Sequence, residues 1–278
     1  MEAPHRSNGS NTRPATQALP RGAGRSKVAG RVDRVLNTAL AGEKSAVLNV
    51  SVPELLSDAV PVAGVIQEAV GRPGVGVIGH WMVQELFRRS SLYDGLIDSL
   101  ASPNPTLRAA AARVCSAARM TDSVLWIGDL LDDPDPGVRD AAVRALSRLG
   151  GRRSVDLLMA GAGRIPLYRL AIALSRAASD IDIEALMRQP ASEKAAVATV
   201  LACGLRRDVL RVSPLLGIAH DRRWPGPVRL AACTALATIG DRSAADGLHR
   251  LALGDPDAVI KTGADRAYRR LVKRAVGR

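Results

Sequence analysis

LDDPDPGVRDAAVRALSRLG occupies residues 131–150, and the fold turns on whether it is a solitary helix or one copy of a repeated unit. Its local chemistry gives a helix first. Asp135 suits the N-cap and Pro136 the first helical position. Val138, Ala142, Ala145, Leu146 and Leu149 then fall on one stripe, with Asp140, Arg144, Ser147 and Arg148 opposite. Gly150 and Gly151 end the helix. A second, shorter helix follows in RSVDLLMAG at 153–161.

The same pattern returns along the chain. SPNPTLRAAAARV at 102–114 aligns with DPDPGVRDAAVRA at 133–145, 31 residues later. RWPGPVRLAACTA at 223–235 aligns 90 residues later, about three periods on. IPLYRLAIALS places Arg169 30 residues after Arg139, and DPDAVIKTGADRA places Lys261 32 residues after Arg229. PASEKAAVATV offers Lys194 as a shorter, irregular copy.

Two residues after the basic position stand Ala110, Ala141, Ala171, Ala196, Ala231 and Gly263. Three after it stand Ala111, Ala142, Ile172, Val197, Ala232 and Ala264. One before it stand Leu107, Val138, Tyr168, Val228 and Ile260, with Glu193 the exception. A column of small residues means helices that approach closely. A period of this size means stacked helical pairs. The expected fold is therefore all-α, an α-solenoid of helical hairpins.

The stretch DPDPGVRDAAVRALSRLG resembles the HEAT-like repeat, the short bacterial kind seen in relatives of phycobilin lyases. The expected organisation is a disordered basic tail over 1–26, degenerate helical pairs over 27–98, and HEAT-like repeats over 99–278 ending in a basic capping helix. The first part of the degenerate region carries a capping-box spacing at Ser51 and Glu54, and HWMVQELFRRS at 80–90 reads as a further amphipathic helix. The resemblance implies a ladder between neighbouring units, formed by an acid before the second helix and a basic residue within it. Its rungs would be Asn104 with Arg108, Asp135 with Arg139, and Asp257 with Lys261, with Arg169 and Arg229 in the same column. Ile165 and Pro225 at the acid position leave the ladder incomplete.

The charge of +12 is unevenly spread. Residues 1–34 hold seven Lys/Arg against two acids, and residues 261–278 hold seven against one, so the body is nearly neutral. Basic ends attract phosphates or anionic surfaces. With 3% aromatic residues, the core must be built from Ala, Leu, Val and Ile, which favours close-packed helices. Cys115, Cys203 and Cys233 are odd in number, widely spaced and set in apolar helical patterns, so they read as small hydrophobes rather than disulfides or zinc ligands. No stretch has the length of a signal peptide core or a membrane span, and a cytoplasmic protein is expected.

Catalytic signatures are weak throughout. None of His5, His80, His220 and His249 is followed by Glu, so the His-Glu iron pairs of deoxyhypusine hydroxylases, which share HEAT architecture, are missing. Trp126 with Asp129 is a faint echo of HEAT-like DNA glycosylases; the simpler reading is a large side chain filling a gap between units, beside a solvated acid. GRPGVGVIG at 71–79 lacks the Lys-Ser/Thr of a phosphate loop and reads as a break between helical pairs. No catalytic residue, metal or cofactor is expected. What remains is surface.

Exposed positions on the second helices, Arg113, Asp140, Arg144 and Arg148, together with Trp224 in a turn, are the expected partner-binding residues. Arg266, Arg270, Lys273 and Arg274 form a basic stripe opposite Ala267, Leu271 and Ala275. The expected function is a non-catalytic scaffold that binds another protein through its concave face. By the resemblance, the partner would be a larger enzyme such as a membrane-bound glycosyltransferase. The alternative is a nucleic-acid binder using the basic ends and groove arginines. A glycosylase or lyase stands behind both.

Overall fold

A computed structural model describes residues 26–276 of the chain, with side chains to Lys273. The expected tail, apart from Ser26, lies outside the described residues. Among these the structure is all-α, with no strand. Four helices come first: α1 Lys27–Leu40, α2 Val52–Ser57, α3 Ala59–Val70 and α4 Gly76–Arg89. Six hairpins follow. They are α5 Tyr93–Ser99 with α6 Pro105–Ala117, α7 Val124–Asp129 with α8 Pro136–Leu149, and α9 Gly151–Ala160 with α10 Leu167–Ala177. Then come α11 Asp180–Arg188 with α12 Glu193–Arg206, α13 Val212–His220 with α14 Gly226–Ile239, and α15 Ala245–Gly254 with α16 Ala258–Val276.

Each hairpin packs its own two helices together, and the second helices stack in a continuous row, α6 on α8, α8 on α10, and so to α16. The first helices form an outer row, in which α7 meets α9 and α13 meets α15. The N-terminal region departs from clean pairing. There α1 packs against both α3 and α4, while α3 lies against α6 and extends the second-helix row. The expected capping box is formed: the Ser51 hydroxyl accepts from the Glu54 amide, and the Glu54 carboxylate accepts from the Ser51 amide at 2.7 Å. That amide, followed by the Arg31 guanidinium at 2.6 Å, holds the Glu54 carboxyl down to about 2.

The small-residue column explains how closely the row is stacked. Ala110, Ala141, Ala171, Ala196 and Ala231 are all buried. A Cβ on Gly263 would run into Leu230 of α14, and one on Gly204 of α12 would lie 2.8 Å from the Ala235 Cα. The 90-residue alignment holds throughout: Val138, Ala141, Ala142, Ala145, Leu146 and Leu149 are buried, and so are Val228, Ala231, Ala232, Ala235, Leu236 and Ile239. The three cysteines belong to this core. Burial pushes the Cys115 thiol up to about 12 and those of Cys203 and Cys233 to about 11, so all three stay protonated.

In α10 the expected register is two residues out. Pro166 caps the helix from outside, whereas Pro136 is the first residue of α8, so matching the two prolines shifts the alignment. Leu170, Ala173, Leu174 and Ala177 fall 32 residues after Val138, Ala141, Ala142 and Ala145, and all eight are buried. Tyr168, expected inside, is exposed, and Ile172 is only half-buried.

The ladder is real but uses other acids. Arg108 grips Asp133 bidentately, at 2.7 and 2.8 Å, and gives its remaining nitrogen to the Ser102 and Pro103 carbonyls. Arg229 pairs with Asp255 and donates to the Ala219 carbonyl at 2.9 Å. Asn104, Asp135 and Asp257 are instead N-caps, accepting from the amides of Thr106, of Gly137 and Val138, and of Val259 and Ile260. In both DPD triplets the first aspartate is the rung and the second is the cap. Arg139 makes its contacts with the carbonyls of Asp133 and Pro134, and Lys261 forms no ion pair with a described residue. Arg169 is not a rung at all; it is exposed and pairs with Asp140. Asp135→Ala removes two amide contacts at the start of α8 and is expected to cost about 1 kcal/mol, read as a lower denaturation midpoint.

Candidate functional site

The exposed edge of the second-helix row carries a cleft of about 470 Å³ between α8 and α10. Asp140, Arg144, Ser147 and Arg148 enter it from α8, because they lie opposite the stripe that α8 buries. Arg169, Ile172 and Arg176 enter from α10, and Arg119 reaches in from the turn after α6. Five arginines therefore surround a single carboxylate. Asp140 is committed to both Arg144 and Arg169. Arg119 donates to the Leu149 carbonyl at 3.2 Å, and Arg148 donates to the Ser116 hydroxyl at 3.1 Å. Burial, and then the neighbouring Arg176, Arg119, Arg113 and Arg144, hold the Arg148 guanidinium below its ordinary value. Arg113 is lowered the same way, by burial and then by Arg144. It stands beside the cleft in an adjoining cavity that it shares with Arg144.

Four of the five expected partner-binding residues, Arg113, Asp140, Arg144 and Arg148, are thus brought together. Trp224 is not among them. It is half-buried against the core in the turn between α13 and α14, so it is not the exposed anchor the sequence suggested. Arg119, Arg169 and Arg176 were not expected in the cleft. A signal for Arg176 existed, since Arg113, Arg144 and Arg176 recur at intervals of 31 and 32 residues. Trp126 fills no gap; it and Asp129 are both exposed on α7, in the outer row away from the cleft.

A second basic surface lies at the end of the row. Arg266, Arg270 and Lys273 are exposed on α16, joined by Arg269, around a cavity of about 610 Å³. Ala267 and Leu271 bury the opposite side as expected. Arg274 and Ala275 lie in α16 beyond the described side chains. His249 stacks obliquely on Tyr268 with ring centres 4.8 Å apart, and His220 Nε2 lies 3.2 Å from the Gly247 carbonyl. Among the described residues no cluster of His, Cys, Asp and Glu has the arrangement of a metal site.

Residues 93–175 match a family model of HEAT repeats. The match spans α5 to α10 and so contains most of the cleft. Among solved structures the chain is similar to human deoxyhypusine hydroxylase in complex with glycerol. The identity is 17%, the TM-score 0.35, and the alignment covers 88% of this chain and 97% of that one. It is also similar to an engineered protein at 17% identity and a TM-score of 0.30, covering 87% of this chain and 96% of that one. No curated protein matches it. No described helix is long and apolar enough to cross a membrane.

Proposed function

We propose that the chain is a non-catalytic scaffold whose HEAT-repeat row binds an acidic segment of a partner protein. The observation that carries this reading is the line of Arg113, Arg144 and Arg176 on three successive second helices, with Asp140 as the one carboxylate of the cleft. HEAT repeats commonly serve as protein-interaction scaffolds. Their arginines can form bidentate hydrogen bonds to carboxylates. Cytoplasmic placement and an enzyme partner at a membrane remain part of this reading. They rest, like the finer likeness to the short lyase-type repeat, on the sequence pattern.

The test is charge reversal. Tagged wild-type chain and an Arg113→Glu/Arg144→Glu variant are used to capture partners from the native cell, with circular dichroism confirming equal helicity. The reading expects one or more acidic proteins to be lost by the variant. Retention of the same set by both chains would sink it.

The exposed cations of α16 favour a second reading, contact with nucleic acid. It requires affinity for a short DNA duplex that falls steeply as salt rises. Replacing Arg266, Arg270 and Lys273 by Gln would then flatten the salt dependence by about three phosphate contacts.

A further inference from the structure

We infer that the α8–α10 cleft is a phosphoryl-binding site in which Arg119, Arg148 and Arg176 hold the oxyanion and Ser147 supplies a hydroxyl donor. This does not rest on the scaffold reading, since the site can fill whether or not a protein docks. Once Asp140 has taken Arg144 and Arg169, three guanidinium groups share the cleft with no anion to balance them. Arg119 and Arg148 are engaged only by neutral oxygens and keep further N–H groups free. Arg176 makes no hydrogen bond or ion pair with a described residue. Arginine does not shed its proton in proteins, so the mutual repulsion of these groups is relieved only by a bound negative charge.

A second observation points to the same ligand. Ser147 is 6% exposed, lines the cleft, and has an Oγ without any hydrogen-bond partner. A buried hydroxyl left unpaired is unusual, and a ligand oxygen at the cleft floor would satisfy it. Three cations and one hydroxyl suit a tetrahedral group with three acceptor oxygens and close to two negative charges. A carboxylate has two oxygens and one charge, and would leave most of the site unmet. The cleft volume falls in the range of small-ligand pockets, so the phosphoryl group is carried by a larger body: a free phosphorylated metabolite or a phosphorylated side chain.

Isothermal titration at constant ionic strength tests this with three probes: inorganic phosphate, a phosphoserine peptide, and the same peptide unphosphorylated. Saturable binding of phosphate and of the phosphopeptide alike assigns the site to free phosphoryl ligands; phosphopeptide binding alone assigns it to a modified protein. Arg176→Gln is expected to weaken either by about tenfold or more, the loss of one charge-assisted contact. Arg148→Gln should do the same, but that residue also links α8 to α6, so the partnerless Arg176 gives the cleaner result. Arg153→Gln, exposed on α9, should leave binding unchanged. The assignment is overturned if neither phosphorylated probe binds saturably, if Arg176→Gln binds like wild type, or if the unphosphorylated peptide binds equally well.

Discussion

Asp255→Ala is expected to lose about 3–5 kcal/mol of folding stability, because it leaves the Arg229 guanidinium buried without its counter-charge. Both residues are almost wholly buried, at 5% and 6% exposure. The remaining acceptor, the Ala219 carbonyl, cannot neutralise a cation. Replacing the pair together, as Arg229→Met/Asp255→Leu, should recover most of the loss, since an apolar pair of similar volume carries no desolvation cost. Urea titration of the two variants decides the matter; a single variant within about 1 kcal/mol of wild type would mean that the rung is ornamental.

The same pair has a pH signature. Burial works to raise the Asp255 carboxyl, but hydrogen bonds from Arg229 and the Asp257 amide prevail and hold it below the ordinary carboxylate value. Asp133 is lowered too, chiefly by Arg108. A folded-state value below the unfolded one contributes stability that is complete above about pH 4 and is lost as pH falls through the lower, folded value. Acid unfolding of wild type should therefore steepen below pH 4, and the double replacement should blunt that loss.

Gly204→Ala is the second large effect. The added methyl would meet the Ala235 Cα at 2.8 Å, and a backbone atom cannot rotate aside. The α12–α14 seam must open, at a cost of about 1–3 kcal/mol. Gly64→Ala provides the contrast. Gly64 lies in α3, is exposed, and has nothing within 4 Å of where its Cβ would sit. There the substitution should stabilise by roughly 0.5–1 kcal/mol, the ordinary helix penalty of glycine. Thermal melts of the two variants should move in opposite directions; movement in the same direction would refute the close-approach account.

The architecture was legible because helical periodicity and a 31-residue recurrence are local properties of the chain. Val138 to Leu149 and Val228 to Ile239 could be aligned without coordinates, and both are buried as expected. The rungs were not legible. Asp133 and Asp135 stand two apart in one triplet, and only the path of the backbone decides which faces the neighbouring unit and which caps its own helix. Arg169 was misplaced for a related reason: Pro166 lies just outside its helix, and a shift of two residues turns a side chain to another face. The cleft was half visible. Asp140, Arg144 and Arg148 follow from the face opposite the core of α8. Arg119 comes from a residue after the end of α6 with φ of 56°, where helical spacing no longer predicts direction.

Each hairpin of the row touches chiefly the hairpins beside it. The length of this protein is therefore a loosely constrained quantity in evolution. Duplicating or excising one whole period requires only that the two new seams match, small residue against small residue, and disturbs little further along. The arginine cleft spans a single seam, that of α8 with α10, so lineages could lengthen or shorten the far end while preserving it intact.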